Sequence, residues 1–254
     1  EKDGFEISKK IYSSIDGDSP LISPKSTAIL ISELSSAFLT LKPDIVVTIA
    51  DRYETIATSI AASYMNIPLA HIQGGEVTGN IDEKVRHANT KFADYHFVSS
   101  LDSYNRVLNL GENPEFIFNT GCPSIDLAKN IGKLNFNPYE KYGGVGIKPD
   151  FENGYIVVMQ HPVTNEYNHS KEQIIETIEA IIKLDMTTFW FWPNVDSGTD
   201  SISKTIRKYR ERKCFPKVHF FKNFDPIDFL TLLKNSKCLI GNSSVGIREC
   251  SYLN

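Results

Sequence analysis

Short apolar runs alternate with longer segments of helical spacing along this chain of 254 residues. Residues 45–50 (IVVTIA) form a continuous apolar run typical of a buried strand, and residues 54–65 follow with apolar side chains three and four positions apart. Strands alternating with helices of this length predict βαβ units and a parallel sheet. Further strands are predicted at 68–72, 96–98, 116–119, 155–160, 187–192, 218–221 and 238–240, and further helices at 25–41, 82–93, 101–110, 123–131, 170–184, 201–212, 226–234 and from Ser243 onward.

The stretch 132–153 interrupts this alternation, because it holds two prolines, the Gly143-Gly144 pair and aromatic residues in loop-like order. We therefore expect an α/β protein with two Rossmann-like domains and parallel sheets. The expected division is an N-terminal domain over 1–135, a linker over 136–153 and a C-terminal domain over 154–254. The helix at 25–41 lacks a preceding strand, and the last helix begins close to the final residue, so both ends are expected to be truncated within a domain.

Charge and composition exclude several function classes. The net charge of −4 argues against a nucleic-acid or membrane-surface binder, whose signature is basic. No apolar run reaches the roughly 20 residues of a membrane span, and the first ten residues lack the apolar segment of a signal peptide. The four cysteines show no C-x-x-C spacing. We expect reduced thiols in a cytoplasmic protein that binds neither metal nor cofactor.

Polar or glycine residues follow the predicted strands. They include Asp51 and Arg52 after the first strand, Gln73 after the second, and His161 and Asn194 in the second half. In open parallel sheets, ligands bind outside the carboxyl ends of the strands. Two such edges facing each other across a cleft would bring these groups together around one ligand.

The segment 71–84 (HIQGGEVTGNIDEK) concentrates acid/base chemistry beside a glycine pair. The glycines let the backbone approach a ligand closely, and Glu76 and Asp82 supply carboxylates for proton transfer. A bland interpretation stands beside this one. Asp51 and Asp82 could each be an ordinary helix N-cap. Glu83 is expected to point to solvent, and Arg86 to lie on the helix surface.

The segment 241–249 (GNSSVGIRE) is the best phosphate-binding candidate. Ser243 and Ser244 open a predicted helix, whose free N–H groups and positive dipole end favour an anion. Glu249 could accept hydrogen bonds from ribose hydroxyls. The alternative is an ordinary N-cap, because the segment is neither a Walker loop nor a G-x-G-x-x-G motif.

Six motifs together resemble the hydrolysing UDP-N-acetylglucosamine 2-epimerases, enzymes of sialic-acid and legionaminic-acid pathways. They are ADRYE (50–54), HIQGGEVTGNIDEKVRHANTK (71–91), TGCPSID (120–126), QHPVT (160–164), WPNVDSG (192–198) and GNSSVGIRE (241–249). The resemblance implies a glycosyltransferase-B-type fold. It also implies a reaction in which a base removes the C2 proton, UDP leaves by anti elimination, and water adds to the 2-acetamidoglucal to give N-acetylmannosamine.

The resemblance also assigns roles to residues of this chain. It makes Asp51 and Asp82 the acid/base carboxylates, within a candidate catalytic set completed by Gln73 and Glu76. The residues implied to hold the UDP part are Arg52, His161, Asn194, Ser243, Ser244 and Glu249. It further implies a homodimer or homotetramer that takes a UDP-sugar and uses no metal.

One position departs from the family pattern. Gln73 stands where several members carry a catalytic glutamate, and an amide cannot act as a base. Either Glu76 or Asp82 takes that role, or the substrate differs and is UDP-N,N'-diacetylbacillosamine. The nearest alternative among enzymes is a glycosyltransferase of the same fold, and the alternative from another class is a sugar-nucleotide-binding module without turnover.

Overall fold

The computed structural model describes residues 4–15, 21–79, 81–193 and 199–253. Its contacts divide the chain into two compact units, Glu1–Cys122 and Pro123–Asn254. Each unit is a layered α/β structure built on its own sheet. The expected α/β fold class is therefore confirmed.

The first unit holds a four-stranded sheet with the strands in chain order. Its elements are α1 (Ile22–Leu41), β1 (Val46–Ile49), α2 (Tyr53–Tyr64), β2 (Leu69–Ile72), α3 (Ile81–Phe92), β3 (Tyr95–Val98), α4 (Leu101–Asn109) and β4 (Ile117–Asn119). The order is β1-β2-β3-β4, and every pair is parallel. All four carboxyl ends therefore lie along one edge of this sheet.

The helices of the first unit cover one face of its sheet. Right-handed crossovers between consecutive parallel strands place the connecting helices on the same side. Burial agrees with this arrangement, since Val46 packs with Ala62 of α2, while Val47 and Ile49 are 57% and 51% exposed. The alternation along β1 reflects one covered and one open face among the described residues.

The second unit holds a five-stranded sheet. Its elements are α5 (Pro123–Ala128), α6 (Pro138–Tyr142), β5 (Val145–Gly146), β6 (Ile156–Met159), α7 (Ser170–Leu184), β7 (Thr188–Phe191), α8 (Thr199–Glu211), β8 (Val218–Phe221), α9 (Pro226–Lys234), β9 (Leu239–Gly241) and α10 (Glu249–Leu253). The order is β5-β8-β7-β6-β9, and every pair is parallel except β5 with β8.

Both faces of this second sheet are packed. Alternate residues of its central strands enter two separate apolar cores, with Phe189 and Phe221 in one and Trp190 and Phe220 in the other. Strands β7 and β8 are consequently buried at every position. Strands of a sheet that is covered on both faces have nearly continuous apolar sequences, and this pattern is why these strands could be predicted from the sequence.

The predicted linker contains regular structure that packs within the second unit. Asn137 caps α6 by accepting a hydrogen bond from the N–H of Tyr139, and Pro138 follows at the first helical position. The Tyr139 ring is buried against Phe189, with ring centroids 5.7 Å apart. The predicted linker therefore supplies side chains to the core of the second unit. Its prolines and glycines indicate turns but do not indicate this packing.

The helix predicted from Ser243 is broken in two. A 3₁₀ turn spans Ser244–Gly246, and α10 begins only at Glu249. Gly246 together with the β-branched neighbours Val245 and Ile247 gives the segment low helix propensity. The N–H groups at Ser243 and Ser244 therefore open a short turn, not a regular helix.

Candidate functional site

The residue that directly follows strand β1 has a left-handed backbone. Ala50 has φ of 61°, which turns the chain so that Asp51 follows outside the sheet. Its carbonyl oxygen is bonded to His71 Nε2 at 3.0 Å and to Asn89 Nδ2 at 3.4 Å. Helix α2 begins at Tyr53 with Arg52 at its N-cap, so Asp51 does not cap that helix. The capping interpretation of Asp51 is thereby wrong.

The neighbouring strand β2 ends in the same way. Gln73 has φ of 63°, and its N–H donates to the Phe97 carbonyl at 2.8 Å. Its amide Nε2 lies 3.5 Å from Sγ of Cys122, which follows β4 by three residues. A left-handed conformation costs a non-glycine residue about 1–2 kcal/mol, and such strain concentrates at functional sites. Two adjacent strands are each followed by a residue with this backbone strain, which indicates a functional site at this edge of the sheet.

Asp51 forms an ion pair with Arg86 of α3. Arg86 Nη2 contacts Asp51 Oδ2, and the two side chains are 4% and 20% exposed. The second terminal nitrogen, Nη1, donates to the Glu76 carbonyl oxygen at 2.9 Å. The Glu76 carboxylate in turn accepts a hydrogen bond from Ser99 Oγ at 2.7 Å. Two of the candidate catalytic residues, Asp51 and Glu76, are therefore held by one buried guanidinium.

His71 lies beneath this cluster as a neutral imidazole. Burial lowers the pKa of His71 to about 4, and the hydrogen bond to the Ala50 carbonyl opposes that shift only in part. Because a carbonyl can only accept, Nε2 carries the proton, and Nδ1 faces Thr90 Oγ1 at 3.2 Å. His71 thus fixes the end of β1 and is not a proton donor near neutral pH.

The start of α3 is tied to the glycine-containing loop before it. Glu83 Oε2 accepts hydrogen bonds from the N–H groups of Thr78 at 2.8 Å and Gly79 at 2.7 Å, and both bonds lower the pKa of the Glu83 carboxyl. Glu83 therefore lies near solvent, as expected, and its carboxylate is also bonded to the backbone of the preceding loop. Asp82 lies half-buried in the first turn of α3, one residue before Glu83.

Arg52 takes a different direction from Asp51. Its guanidinium forms two hydrogen bonds to the Glu54 carboxylate, each 3.1 Å long, on the exposed surface. The structure therefore pairs Arg52 with Glu54. Its role in holding phosphate stays a prediction.

In the second unit, the ends of β6 and β9 are joined by one side chain. Asn242 Oδ1 accepts from the His161 N–H at 2.8 Å, and Asn242 Nδ2 donates to the His161 carbonyl at 2.9 Å. Before it, Gly241 has φ of 140°, and a Cβ there would lie 1.9 Å from the Met159 carbonyl oxygen. The backbone after β6 and β9 is thus fixed in a close approach that requires glycine.

The remaining candidates of the second unit lie just beyond β9. Ser243 Oγ accepts from the Val245 N–H at 3.4 Å, and Ser244 Oγ accepts from Arg248 Nη2 at 3.0 Å. Glu249 is 8% exposed at the start of α10, and its Oε2 is buried without a protein partner among the described residues. Asn194 lies outside the described residues. A hydroxyl pair, a basic side chain and a buried carboxylate therefore follow one strand.

Sequence reasoning placed Arg86 on the helix surface, and this expectation is wrong. Arg86 is 3% exposed, and Asn89 and Thr90 on the same helix are fully buried. Polar residues at spacings of three and four positions form one face of α3, beside the apolar stripe. That period was visible in the sequence, but an amphipathic helix normally turns such a polar stripe to solvent.

Within the described ranges, no helix is long and apolar enough to cross a membrane. In the same part of the chain, no group of three or more His, Cys, Asp or Glu side chains is arranged to hold a metal ion.

The chain is similar to known sugar-nucleotide epimerases along its length. Residues 1–254 match the family model described as UDP-N-acetylglucosamine 2-epimerase. The chain is 35% identical over 215 residues to UDP-N,N'-diacetylbacillosamine 2-epimerase (hydrolyzing) of Legionella pneumophila, covering 84% of this chain and 54% of the relative. It is 33% identical over 250 residues to GDP/UDP-N,N'-diacetylbacillosamine 2-epimerase (hydrolyzing) of Campylobacter jejuni, covering 98% and 64%.

A third relative carries a different substrate in its name. UDP-N-acetylglucosamine 2-epimerase of Neisseria meningitidis serogroup B is 31% identical over 225 residues, covering 88% of this chain and 56% of the relative. The chain thus spans between 54% and 64% of the length of these three curated relatives.

Solved structures share the fold. The crystal structure of the Methanocaldococcus jannaschii UDP-GlcNAc 2-epimerase, in complex with UDP-GlcNAc and UDP, superposes with a TM-score of 0.72 at 20% identity. It covers 91% of this chain and 64% of the other. The Staphylococcus aureus MnaA–UDP structure gives a TM-score of 0.68 at 20% identity, covering 89% and 58%.

Proposed function

The chain belongs to the UDP-N-acetylglucosamine 2-epimerase family, and from this premise we propose that the full-length protein is a hydrolysing epimerase. It converts UDP-N-acetylglucosamine and water to N-acetylmannosamine and UDP. The observation that carries the proposal is the Asp51 carboxylate, which follows β1, caps no helix and is paired with a buried arginine beside the Glu76 loop. A carboxylate held in this way at the ligand-binding edge of a parallel sheet is suited to proton transfer.

The proposed reaction has two balanced stages. A carboxylate removes the proton from C2 of the sugar, the C1–O bond to UDP breaks with its electron pair leaving on UDP, and a C1=C2 double bond forms. Water then adds its oxygen at C1, and a proton returns to C2 on the opposite face, giving N-acetylmannosamine. Asp51 and Asp82 are the proposed acid/base pair.

Because Gln73 stands where several family members carry a catalytic glutamate, another residue must act as the base. The Gln73 side chain is an amide directed at Cys122 and cannot remove a proton. Glu76 is the carboxylate we propose as the replacement, because it lies in the loop that Arg86 joins to Asp51. Asp82, one helical turn before Arg86, is the other candidate.

The nucleotide is assigned to the second unit. We propose that His161, Asn194, Ser243 and Ser244 bind the diphosphate and that Glu249 accepts from the ribose hydroxyls. The buried Glu249 Oε2, which has no protein partner among the described residues, supports this role, since a buried acceptor is costly unless a donor reaches it. Arg52 is also proposed for phosphate from the family resemblance, and in this structure its guanidinium is bonded to Glu54.

UDP-N,N'-diacetylbacillosamine is the second candidate substrate. Two relatives, at 35% and 33% identity, are named for that sugar. Gln73, in place of a catalytic glutamate, also favours a substrate other than UDP-N-acetylglucosamine. The elimination and hydration would be the same with either sugar.

The surrounding biology is also a proposal. The chain is 33% identical over 257 residues to polysialic acid biosynthesis protein P7 of Escherichia coli, of which it covers 63%. This likeness supports a bacterial enzyme of sialic-acid synthesis, and its action in the cytoplasm, early in sialic-acid or legionaminic-acid synthesis, is proposed from the family resemblance. A homodimer or homotetramer is proposed from the family resemblance.

Replacement of Asp51 tests the proposal. We expect Asp51→Asn to lower kcat by about 1,000-fold, the scale of a lost acid/base group, while UDP affinity measured by calorimetry changes by less than about threefold. Asp102→Asn, an exposed carboxylate in the first turn of α4, is the matched control and should retain wild-type turnover. Turnover that survives in Asp51→Asn would show that the catalytic assignment is incorrect.

A further inference from the structure

Arg86 is a buried charge that sequence motifs assign to no role. It sits on α3 at 3% exposure, between the end of β1 and the glycine-containing loop that follows β2. Arginine is almost never buried to this degree unless its charge is paired. Removing it from water is costly, and that cost is offset only by well-placed partners.

Its two terminal nitrogens reach two different loops. Nη2 pairs with the Asp51 carboxylate after β1, while Nη1 donates to the Glu76 carbonyl after β2 at 2.9 Å. A guanidinium is a rigid planar fork, so fixing one nitrogen also fixes the other. The positions of the Asp51 carboxylate and the Glu76 backbone are therefore linked through one side chain.

The helix that carries Arg86 is itself fixed to the same strand ends. Asn89 Nδ2 reaches the Ala50 carbonyl at 3.4 Å, and Thr90 Oγ1 lies 3.2 Å from Nδ1 of His71, whose Nε2 bonds that carbonyl. Asn89 Oδ1 also accepts from Ser59 Oγ of α2 at 2.8 Å. The guanidinium is thus presented from a scaffold that has little freedom to move against the strand end.

We propose that Arg86 is a positioning residue, which holds the Asp51 carboxylate and the Glu76 loop in the arrangement that proton transfer at the sugar requires. The inference rests on the proposed function, because Asp51 and Glu76 are its candidate catalytic groups. Arg86 acts through these groups and does not touch the substrate. Its loss therefore lowers kcat and leaves KM nearly unchanged.

The first measurement is steady-state kinetics of UDP release by the full-length protein, with UDP-N-acetylglucosamine and with UDP-N,N'-diacetylbacillosamine. Arg86→Ala is expected to lose about 100-fold in kcat, the scale of a misplaced reacting group, with KM within about threefold. Arg86→Lys keeps a point charge but cannot bridge both partners, and it should lose about tenfold. If Arg86→Ala does not fold, Arg86→Lys carries this test alone.

Chemical rescue separates positioning from general structural support. Guanidinium, at concentrations well below those that unfold proteins, should restore activity to Arg86→Ala by filling the vacated site. It should restore none to the double variant Arg86→Ala with Asp51→Asn. The matched control is Arg106→Ala, because Arg106 Nη1 donates to the Gly75 carbonyl of the same loop at 3.0 Å, from helix α4. Arg106→Ala should keep kcat within about threefold and respond to no guanidinium.

Each outcome decides one of two questions. Wild-type protein that releases no UDP from either sugar overturns the proposed function and this inference with it. An active wild type whose Arg86→Lys variant keeps full kcat overturns the inference alone. Equal kcat losses in Arg86→Ala and Arg106→Ala, without rescue, also overturn it, because the effect would then be general loop support.

Discussion

At the carboxyl end of β1, single side chains hold a strained backbone in place. The Ala50 carbonyl accepts from two side chains of neighbouring elements, His71 and Asn89. These contacts offset the cost of a left-handed alanine, about 1–2 kcal/mol. Asp51 follows directly and meets Arg86. The direction of the candidate catalytic carboxylate therefore depends on a few buried polar contacts and not on a helix or strand of its own.

The neutral state of His71 predicts a pH dependence of stability. Burial lowers its pKa from an ordinary 6.5 to about 4, so the unfolded chain binds more protons than the folded one between these values. Stability should therefore fall as the pH decreases from 6.5 to 4, by up to about 3 kcal/mol from this group. Urea unfolding across this range should show a flatter profile for His71→Asn. Parallel profiles for the two proteins would contradict the account.

Gly75 is required by both its backbone conformation and its surroundings. It has φ of +78°, and a Cβ would lie 2.4 Å from the Ser103 carbonyl oxygen. Gly75→Ala should cost about 2–5 kcal/mol, the sum of backbone strain and overpacking. Gly79→Ala is the control, because Gly79 has φ of +74° with nothing within 4 Å of its Cβ. The control should lose only about 1–2 kcal/mol in denaturant unfolding, and equal losses would count against the close approach.

Past the last backbone hydrogen bonds between strands β6 and β9, the side chain of Asn242 joins the two chain segments. Its side-chain amide bonds both the N–H and the carbonyl of His161, in place of another strand residue. We expect Asn242→Ala to lose about 1–2 kcal/mol of stability and to bind UDP about tenfold more weakly, as measured by calorimetry.

A matched asparagine separates stability from binding in that experiment. Asn235 Nδ2 bonds the carbonyls of Gly132 and Thr231 within the same unit, at 3.2 and 2.8 Å. Asn235→Ala should lose similar stability and keep wild-type UDP affinity. A loss of UDP affinity in Asn235→Ala equal to that in Asn242→Ala would argue against a nucleotide site at these strand ends.

The alternation of strands and helices was predictable because burial on one or both faces sets the period of apolar residues. Helices α7 and α9 and strand β8 have the boundaries that the sequence indicates. The break after Ser243 and the core role of Tyr139 were missed. The sequence alone does not show whether a helix continues through a glycine such as Gly246. It also does not show what an aromatic residue in a loop-like stretch, such as Tyr139, packs against.

The candidate site was predictable at the level of strand ends but not of contacts. The positions of Asp51 and Glu76 in the first unit, and of His161 in the second, follow from the rule that the parallel strands of each sheet end at one edge. Arg86 was misplaced because periodicity shows which residues share a face and not whether a polar face is buried. Its pairing with Asp51, 35 residues earlier in the sequence, is a tertiary contact.

For the whole molecule, the two α/β units divide the proposed work. The first unit carries the candidate acid/base groups together with Arg52, and the second carries the other candidate nucleotide groups. The chain spans 54% to 64% of the length of the three curated relatives compared above. The activity proposed here is therefore a property of the full-length protein, and the decisive measurement is made on that protein.

Proton NMR in D2O tests the central claim most directly. The full-length protein is incubated with UDP-N-acetylglucosamine and, separately, with UDP-N,N'-diacetylbacillosamine. The account predicts release of UDP from one of them, together with a free manno-configured sugar that carries deuterium at C2. Free sugar that keeps its original C2 proton and configuration, or unchanged spectra with both substrates, would contradict elimination through C2.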